Sequence, residues 1–147
     1  MSEVISSFYL PILGTKLLLP NVSVAEVVEY QLPEDNTQDQ SDCVLGTVKW
    51  RGLMLPLLSF EAANGDSFEK ADASRIAVIN AIGDNKKLPF FAIVTQGIPR
   101  LVKVSEDSID ALDVSLGKAE SARVRLDGEE ASIPNSNYLE SLALPYV

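Results

Sequence analysis

Two charged residues in this 147-residue chain stand where charge is least expected. Glu26 lies in the apolar run Val24-Ala25-Glu26-Val27-Val28, and Arg51 lies between the apolar stretches Val44–Trp50 and Leu53–Phe60. Taken singly, Glu26 could complete a capping box with Ser23, and Arg51 could be an exposed hairpin tip. Taken together, they could form a partly buried pair that holds a binding surface in shape. Arg suits that role because its planar fork meets a carboxylate bidentately. Losing one partner of a truly buried pair costs on the order of 3–5 kcal/mol. Trp50 and Met54 flank the same point, and Trp serves equally as core filler or as a contact anchor.

Catalytic chemistry finds less to work with. The chain has no histidine, which excludes Ser-His-Asp and Cys-His catalysis and any metal site that needs imidazole. A general base would have to be a carboxylate, a Lys or a Tyr. The single cysteine, Cys43, can form neither an internal disulfide nor a thiolate cage, and reads as a small buried hydrophobe. Glu34, Asp35, Asp39 and Asp42 share one polar stretch, without the oxygen spacing or central Gly of an EF-hand loop. Neither G-x-x-x-x-G-K-[ST] nor G-x-G-x-x-G occurs. No catalytic residue, metal or cofactor is therefore expected.

The elements that would carry Glu26 and Arg51 are short. Phe8–Leu13 and Lys16–Pro20 read as extended runs around a tight turn at Gly14-Thr15. Residues 24–28 fit either a strand or a helical turn opened by Ser23, and periodicity does not separate the two. Gln31–Asp42 reads as an exposed polar loop. Cys43–Phe60 reads as two strands reversing at Arg51-Gly52, where Gly tolerates positive φ. A turn at Asn64-Gly65-Asp66 precedes a strand over Ile76–Ile79, and the polar turn Gly83–Lys87 leads to another over Phe90–Val94. Leu101–Val104 is a further strand. Ala122, Val124 and Leu126 alternate with Arg123 and Arg125, and Asp127-Gly128 is a type I′ hairpin signal. Asn135–Leu144 reads as a short terminal helix, with Asn137 and Glu140 at capping-box spacing. Roughly ten short strands and few helices predict an all-β fold.

Composition bounds the setting. The chain is 46% apolar, too hydrophobic for intrinsic disorder, and its length suits one domain spanning residues 1–147. With 12 Lys+Arg against 21 Asp+Glu, the net charge of −9 repels nucleic-acid phosphates and anionic membranes. No 18-residue apolar run and no basic, uninterrupted leader occur, so a cytoplasmic protein without membrane insertion is expected.

Several pieces of sequence, in order, carry a family resemblance. Leu18-Leu19-Pro20, then Val24-Ala25-Glu26-Val27, then Leu45-Gly46-Thr47-Val48-Lys49-Trp50-Arg51-Gly52-Leu53-Met54-Leu55-Pro56-Leu57 resembles the CheW-like domain. That family's signature runs A-L-P, V-x-E-V, a loop, and G-x-x-x-x-R-G-x-x-x-P-V. The looser remainder covers nearly the whole chain. The resemblance implies two linked five-stranded SH3-like β-barrels closed by a short C-terminal helix. It also implies a non-enzymatic adaptor coupling chemoreceptor helices to the regulatory domain of a CheA-type histidine kinase. The family's Glu and Arg fall on Glu26 and Arg51. Its receptor surface would include Val24, Arg51 and Gly52, with kinase contact nearer Gly46. Two family acids are replaced, one by Ser59 and one within Thr95-Gln96. Trp50-Arg51-Gly52 and Ser59-Phe60-Glu61 are similar to ChpC-type adaptors of the chemosensory pathway controlling type IV pili and twitching motility.

Two readings from other classes stand beside this one. A carboxylate-dependent hydrolase on a small barrel would show a pocket of carboxylates with raised pKa values. A small-ligand-binding barrel would show a deep apolar cavity.

Overall fold

Three runs in the sequence are apolar at consecutive positions rather than alternate ones: Leu17-Leu18-Leu19, Ile76-Ala77-Val78-Ile79 and Phe91-Ala92-Ile93-Val94. A strand sends successive side chains to opposite faces, so such runs need both faces covered. A computed structural model, describing residues 4–12, 14–34, 43–65, 75–82 and 88–144, shows what covers them.

The chain forms β1 (Ile5–Ile12), β2 (Thr15–Pro20), a 3-10 turn (Asn21–Ser23), β3 (Val24–Glu29), β4 (Val44–Trp50), β5 (Leu53–Leu58) and α1 (Phe60–Ala63). It continues through β6 (Arg75–Asn80), β7 (Phe90–Thr95), β8 (Arg100–Val104), β9 (Ile109–Ala111), β10 (Glu120–Leu126), β11 (Glu129–Pro134) and α2 (Ser136–Ala143). One sheet has the order β8-β1-β2-β11-β10-β9 and the other β3-β6-β7-β5-β4. These are the two linked β lobes that the resemblance implies, with six strands in one sheet where five were expected and five in the other. The sixth strand, β9, is only three residues long, too short to show a period in the sequence.

Three apolar clusters explain the runs. Leu18 faces the interior of the six-stranded lobe with Tyr9, Val124 and Leu126. Leu17 and Leu19 face a central cluster shared with Val44, Leu58, Ile79 and Phe91. In β6 and β7, Ala77, Ile79, Phe91 and Ile93 join that central cluster, while Ile76, Val78, Ala92 and Val94 fill the five-stranded lobe. The middle strands are thus walls between two cores. α2 closes the central cluster with Leu139 and Ala143, and Cys43 lies buried in it as an apolar residue.

Local differences have local causes. Residues 24–29 are strand, so Ser23 and Glu26 make no capping box. The cap of α2 is Asn135, whose Oδ1 accepts the Tyr138 N–H at 3.1 Å; Asn137 is an ordinary helical residue. Glu140 instead accepts the backbone N–H of Ile82. β1 starts at Ile5 because pairing with β8 runs from Ile5↔Val104 to Tyr9↔Arg100. α1 was not legible as a helix; Ser59 caps it, its Oγ accepting the Ala62 N–H at 3.1 Å. The loop within 35–42, the turn at 83–87, Asp66 and Leu13 lie outside the described residues.

Candidate interaction sites

The β4–β5 hairpin turns through two residues, with Trp50 opposite Leu53. Arg51 has φ 48° and Gly52 φ 79°, the paired left-handed geometry of a type I′ turn. Gly adopts it freely, whereas Arg does so at a cost of about 1 kcal/mol. Among the described residues the other non-glycine at positive φ, Asp127 in the β10–β11 turn, is of a type that visits this region readily.

Glu26 reaches the hairpin because β3 carries a bulge. Val24 pairs with Ile79 and Glu26 with Val78, leaving Ala25 as the extra residue. A regular strand would put Val24 and Glu26 on one face; the bulge reverses the parity. Val24 therefore packs against the central cluster, while Val28 and Tyr30, on the parity of Glu26, pack against the five-stranded lobe's cluster with Trp50 and Phe90.

Glu26, Trp50 and Arg51 meet there. Glu26 Oε1 accepts the indole Nε1–H of Trp50 at 2.8 Å and lies 3.2 Å from Nη2 of Arg51. The guanidinium sits 5.0 Å from the Trp50 ring centroid, and Phe90 braces the same ring edge-on at 4.9 Å. The expected pair exists, with its carboxylate half-buried and its guanidinium exposed: the Arg51 side chain is 69% exposed and that of Glu26 39%. A short strand and a hairpin tip end at the lobe surface, leaving both charges within reach of water. Trp50 is half-buried, with its ring against the core and its N–H on the site. Leu53 and Met54 add exposed apolar area just past the turn.

Gly46 and Val24 lie apart from this cluster. Gly46 is buried at a bulge in β4 with φ 139°, and a side chain there would overlap the carbonyl oxygen of Glu34. Glu34 exchanges two backbone hydrogen bonds with Thr47, at 2.7 and 3.2 Å. The Gln31 amide both donates to the Lys49 carbonyl and accepts its N–H. Residues 31–34 therefore occupy the outer edge of β4, and Gly46 presents no side chain to a partner.

Two further features were not singled out in the sequence. At one end of the six-stranded lobe, Ile5, Leu18, Pro20, Val104, Ile109 and Ile133 line an apolar groove of about 190 Å³. Its residues come from five strands and share no sequence signal. The second is Glu120, buried beside a cleft of about 290 Å³ between the lobes. Its carboxylate accepts Nη2 and Nε of Arg123, the Gly117 N–H, Asn64 Nδ2 and Ser132 Oγ. Burial pushes its pKa up, but these donors outweigh burial and hold it at about 2. A bulge between Glu120 and Ala122 takes Glu120 off the face shared by Ala122, Val124 and Leu126, so strand parity in the sequence does not flag it.

Such a carboxylate is locked as an ionised acceptor, the opposite of the raised pKa a hydrolase acid requires. Among the described residues no group of three or more His, Cys, Asp or Glu is placed to hold a metal. These two clefts, of about 290 and 190 Å³, lie at or below the small end of the ~300–1,000 Å³ common for small-molecule pockets. No helix of the described residues is long and apolar enough to cross a membrane.

Fold and surface together define a two-lobed, all-β interaction module. The family model for the CheW-like domain matches residues 11–141, and the chain belongs to that family. Among solved structures it resembles the scaffolding protein TtCheW from Thermoanaerobacter tengcongensis, with a TM-score of 0.72 and 14% identity over 90% of each chain. The chain has no significant sequence match among curated proteins. Membership of this family marks the chain as a chemotaxis-type scaffold.

Proposed function

We propose that this chain is a non-enzymatic cytoplasmic adaptor that couples chemoreceptors to a CheA-type histidine kinase. The observation that carries this reading is the presence of two unlike surfaces on separate lobes. The β4–β5 tip offers a fixed charge pair beside exposed Leu53 and Met54, a match for the mixed surface of a receptor helix. In place of the Gly46 region expected from the resemblance, whose backbone is covered by Pro33 and Glu34, we assign the kinase to the apolar, shape-defined groove at the end of the six-stranded lobe, suited to the end of another small barrel. An adaptor must hold two partners at once, and this separation lets it do so. The whole chain then acts as one module, since the central cluster is built from both sheets. Trp50-Arg51-Gly52 and Ser59-Phe60-Glu61 favour the branch that serves type IV pili.

Calorimetric titration of the protein with a kinase regulatory domain, and separately with a soluble receptor-tip hairpin, tests the reading. Saturable 1:1 binding of each is expected, with Ile109→Asp weakening only the kinase and Arg51→Glu only the receptor. Absence of both interactions at high micromolar concentration overturns the adaptor reading.

A further inference from the structure

We propose that Trp50 is the positioning residue of the Arg51 surface: its indole N–H and ring face fix Glu26 and Arg51 in the orientation a partner meets. This deepens the receptor-surface reading and rests on it. Arg51 is held on three sides. Its backbone is set by the type I′ turn, its guanidinium lies over the Trp50 ring, and its Nη2 faces Glu26 Oε1. That oxygen is in turn fixed by the Trp50 N–H at 2.8 Å, the shorter of its two contacts. Trp50 therefore touches both members of the pair, through its face and through its edge. Its own ring is kept in place by Phe90 and by the cluster of the five-stranded lobe.

The chemistry left over is what a partner sees. Among the described residues, Glu26 Oε2 and the remaining guanidinium N–H groups of Arg51 have no partner. An acceptor and a set of donors thus stand side by side in a fixed relation. An exposed Arg otherwise samples many rotamers, and ordering it on binding weakens association. Holding it against Trp50 removes part of that cost beforehand. The ion pair alone is too exposed to do this, because surface pairs are weakly restrained and screened by salt. A residue with an apolar ring but no donor would leave Glu26 free to turn away.

Trp50→Phe keeps an aromatic ring beside Phe90 and Arg51 while deleting the N–H donor together with the second ring of the indole. Binding of a soluble receptor-tip hairpin is expected to weaken about five- to tenfold, with the denaturation midpoint lowered slightly and the protein fully folded at the titration temperature. On an Arg51→Ala background the same change is expected to have no further effect. Unchanged affinity of Trp50→Phe, or a full additive loss in the double variant, overturns the positioning role. A readout without any partner keeps the inference separate from the adaptor reading. Trp50 is the only Trp, so its indole N–H resonance is unambiguous. In the free protein that resonance is expected to move upfield and exchange faster on Glu26→Leu, and its indifference to that change also overturns the inference. If the wild type binds no receptor tip while the resonance responds, the receptor reading fails and the positioning geometry stands.

Discussion

Asn64 closes on Glu120 across the seam between the lobes: its Nδ2 donates to Oε1 at 3.1 Å while its Oδ1 accepts the Ala119 N–H at 3.0 Å. Asn64 follows α1, which packs in the central cluster, and Glu120 opens β10 of the six-stranded lobe. Gly117 lets Asn64 lie this close, since a side chain at 117 would overlap its amide. One buried carboxylate thus gathers donors from both sides of the seam.

The same network predicts an acid transition. The folded pKa of Glu120, about 2, lies below its ordinary value of 4.5. Its contribution is then complete above about pH 4.5 and is lost as the pH falls toward 2. The shift corresponds to on the order of 3 kcal/mol. Glu120→Gln should lower stability by about 2–3 kcal/mol at pH 7, with the gap to wild type closing between pH 4.5 and 2.5. Urea denaturation across that range checks this. A gap independent of pH would mean the carboxylate charge is not what holds the seam.

Gly46→Ala should destabilise the fold by about 2 kcal/mol, through strain at positive φ and overlap with the Glu34 backbone. The loss is local: residues 31–34 lift from β4, and the Thr47 amide, bonded to the Glu34 carbonyl, exchanges faster with solvent. Hydrogen exchange at Thr47 and Lys49 reads this directly. Weakened partner binding in such a variant reflects the unseated edge before it reflects a contact at Gly46. Normal protection at Thr47 would show that the close approach is tolerated.

Gln96 carries a different liability. Both polar atoms of its amide are buried and have no hydrogen-bond partner among the described residues. A buried amide left unpaired is destabilising, and an apolar side chain of the same length is not. Gln96→Met should leave the fold intact and raise stability by about 1 kcal/mol, measured as a higher denaturation midpoint. A drop of that size would show that the amide is satisfied in solution.

Much of this architecture is legible in the sequence, for identifiable reasons. Strands β2, β6 and β7 announce themselves because walls between two cores must be apolar on both faces, and Arg51-Gly52 marks its turn by glycine. The Glu26–Arg51 pair was legible as two charges in apolar runs. How far each charge is buried stays open in the sequence, between an exposed tip and a partly buried pair, because burial depends on where β3 and the hairpin tip end against the lobe surface. The bulge at Ala25, which turns Glu26 toward Trp50, has no residue-type signature. The apolar groove and the Asn64–Glu120 contact gather residues far apart in the chain, and only the three-dimensional path of the strands brings them together.

Arg51 itself sets function against stability. Its left-handed backbone suits Asn far better than Arg, since Asn-Gly is the favoured pair for a type I′ hairpin. Arg51→Asn should therefore raise stability by about 0.5–1 kcal/mol, because the exposed ion pair it removes contributes less than the strain it relieves. Receptor-tip binding should fall at least tenfold in the same variant. Arg51→Ala should weaken binding similarly without the stability gain. Arg51→Glu should weaken it further, because it sets a like charge beside Glu26. Thermal denaturation and calorimetry on the three variants separate the two effects. If Arg51→Asn gains stability and binds normally, the arginine is an accident of the turn and the contact surface lies elsewhere. If it loses stability, the strain at this φ is smaller than the Glu26 and Trp50 contacts that oppose it.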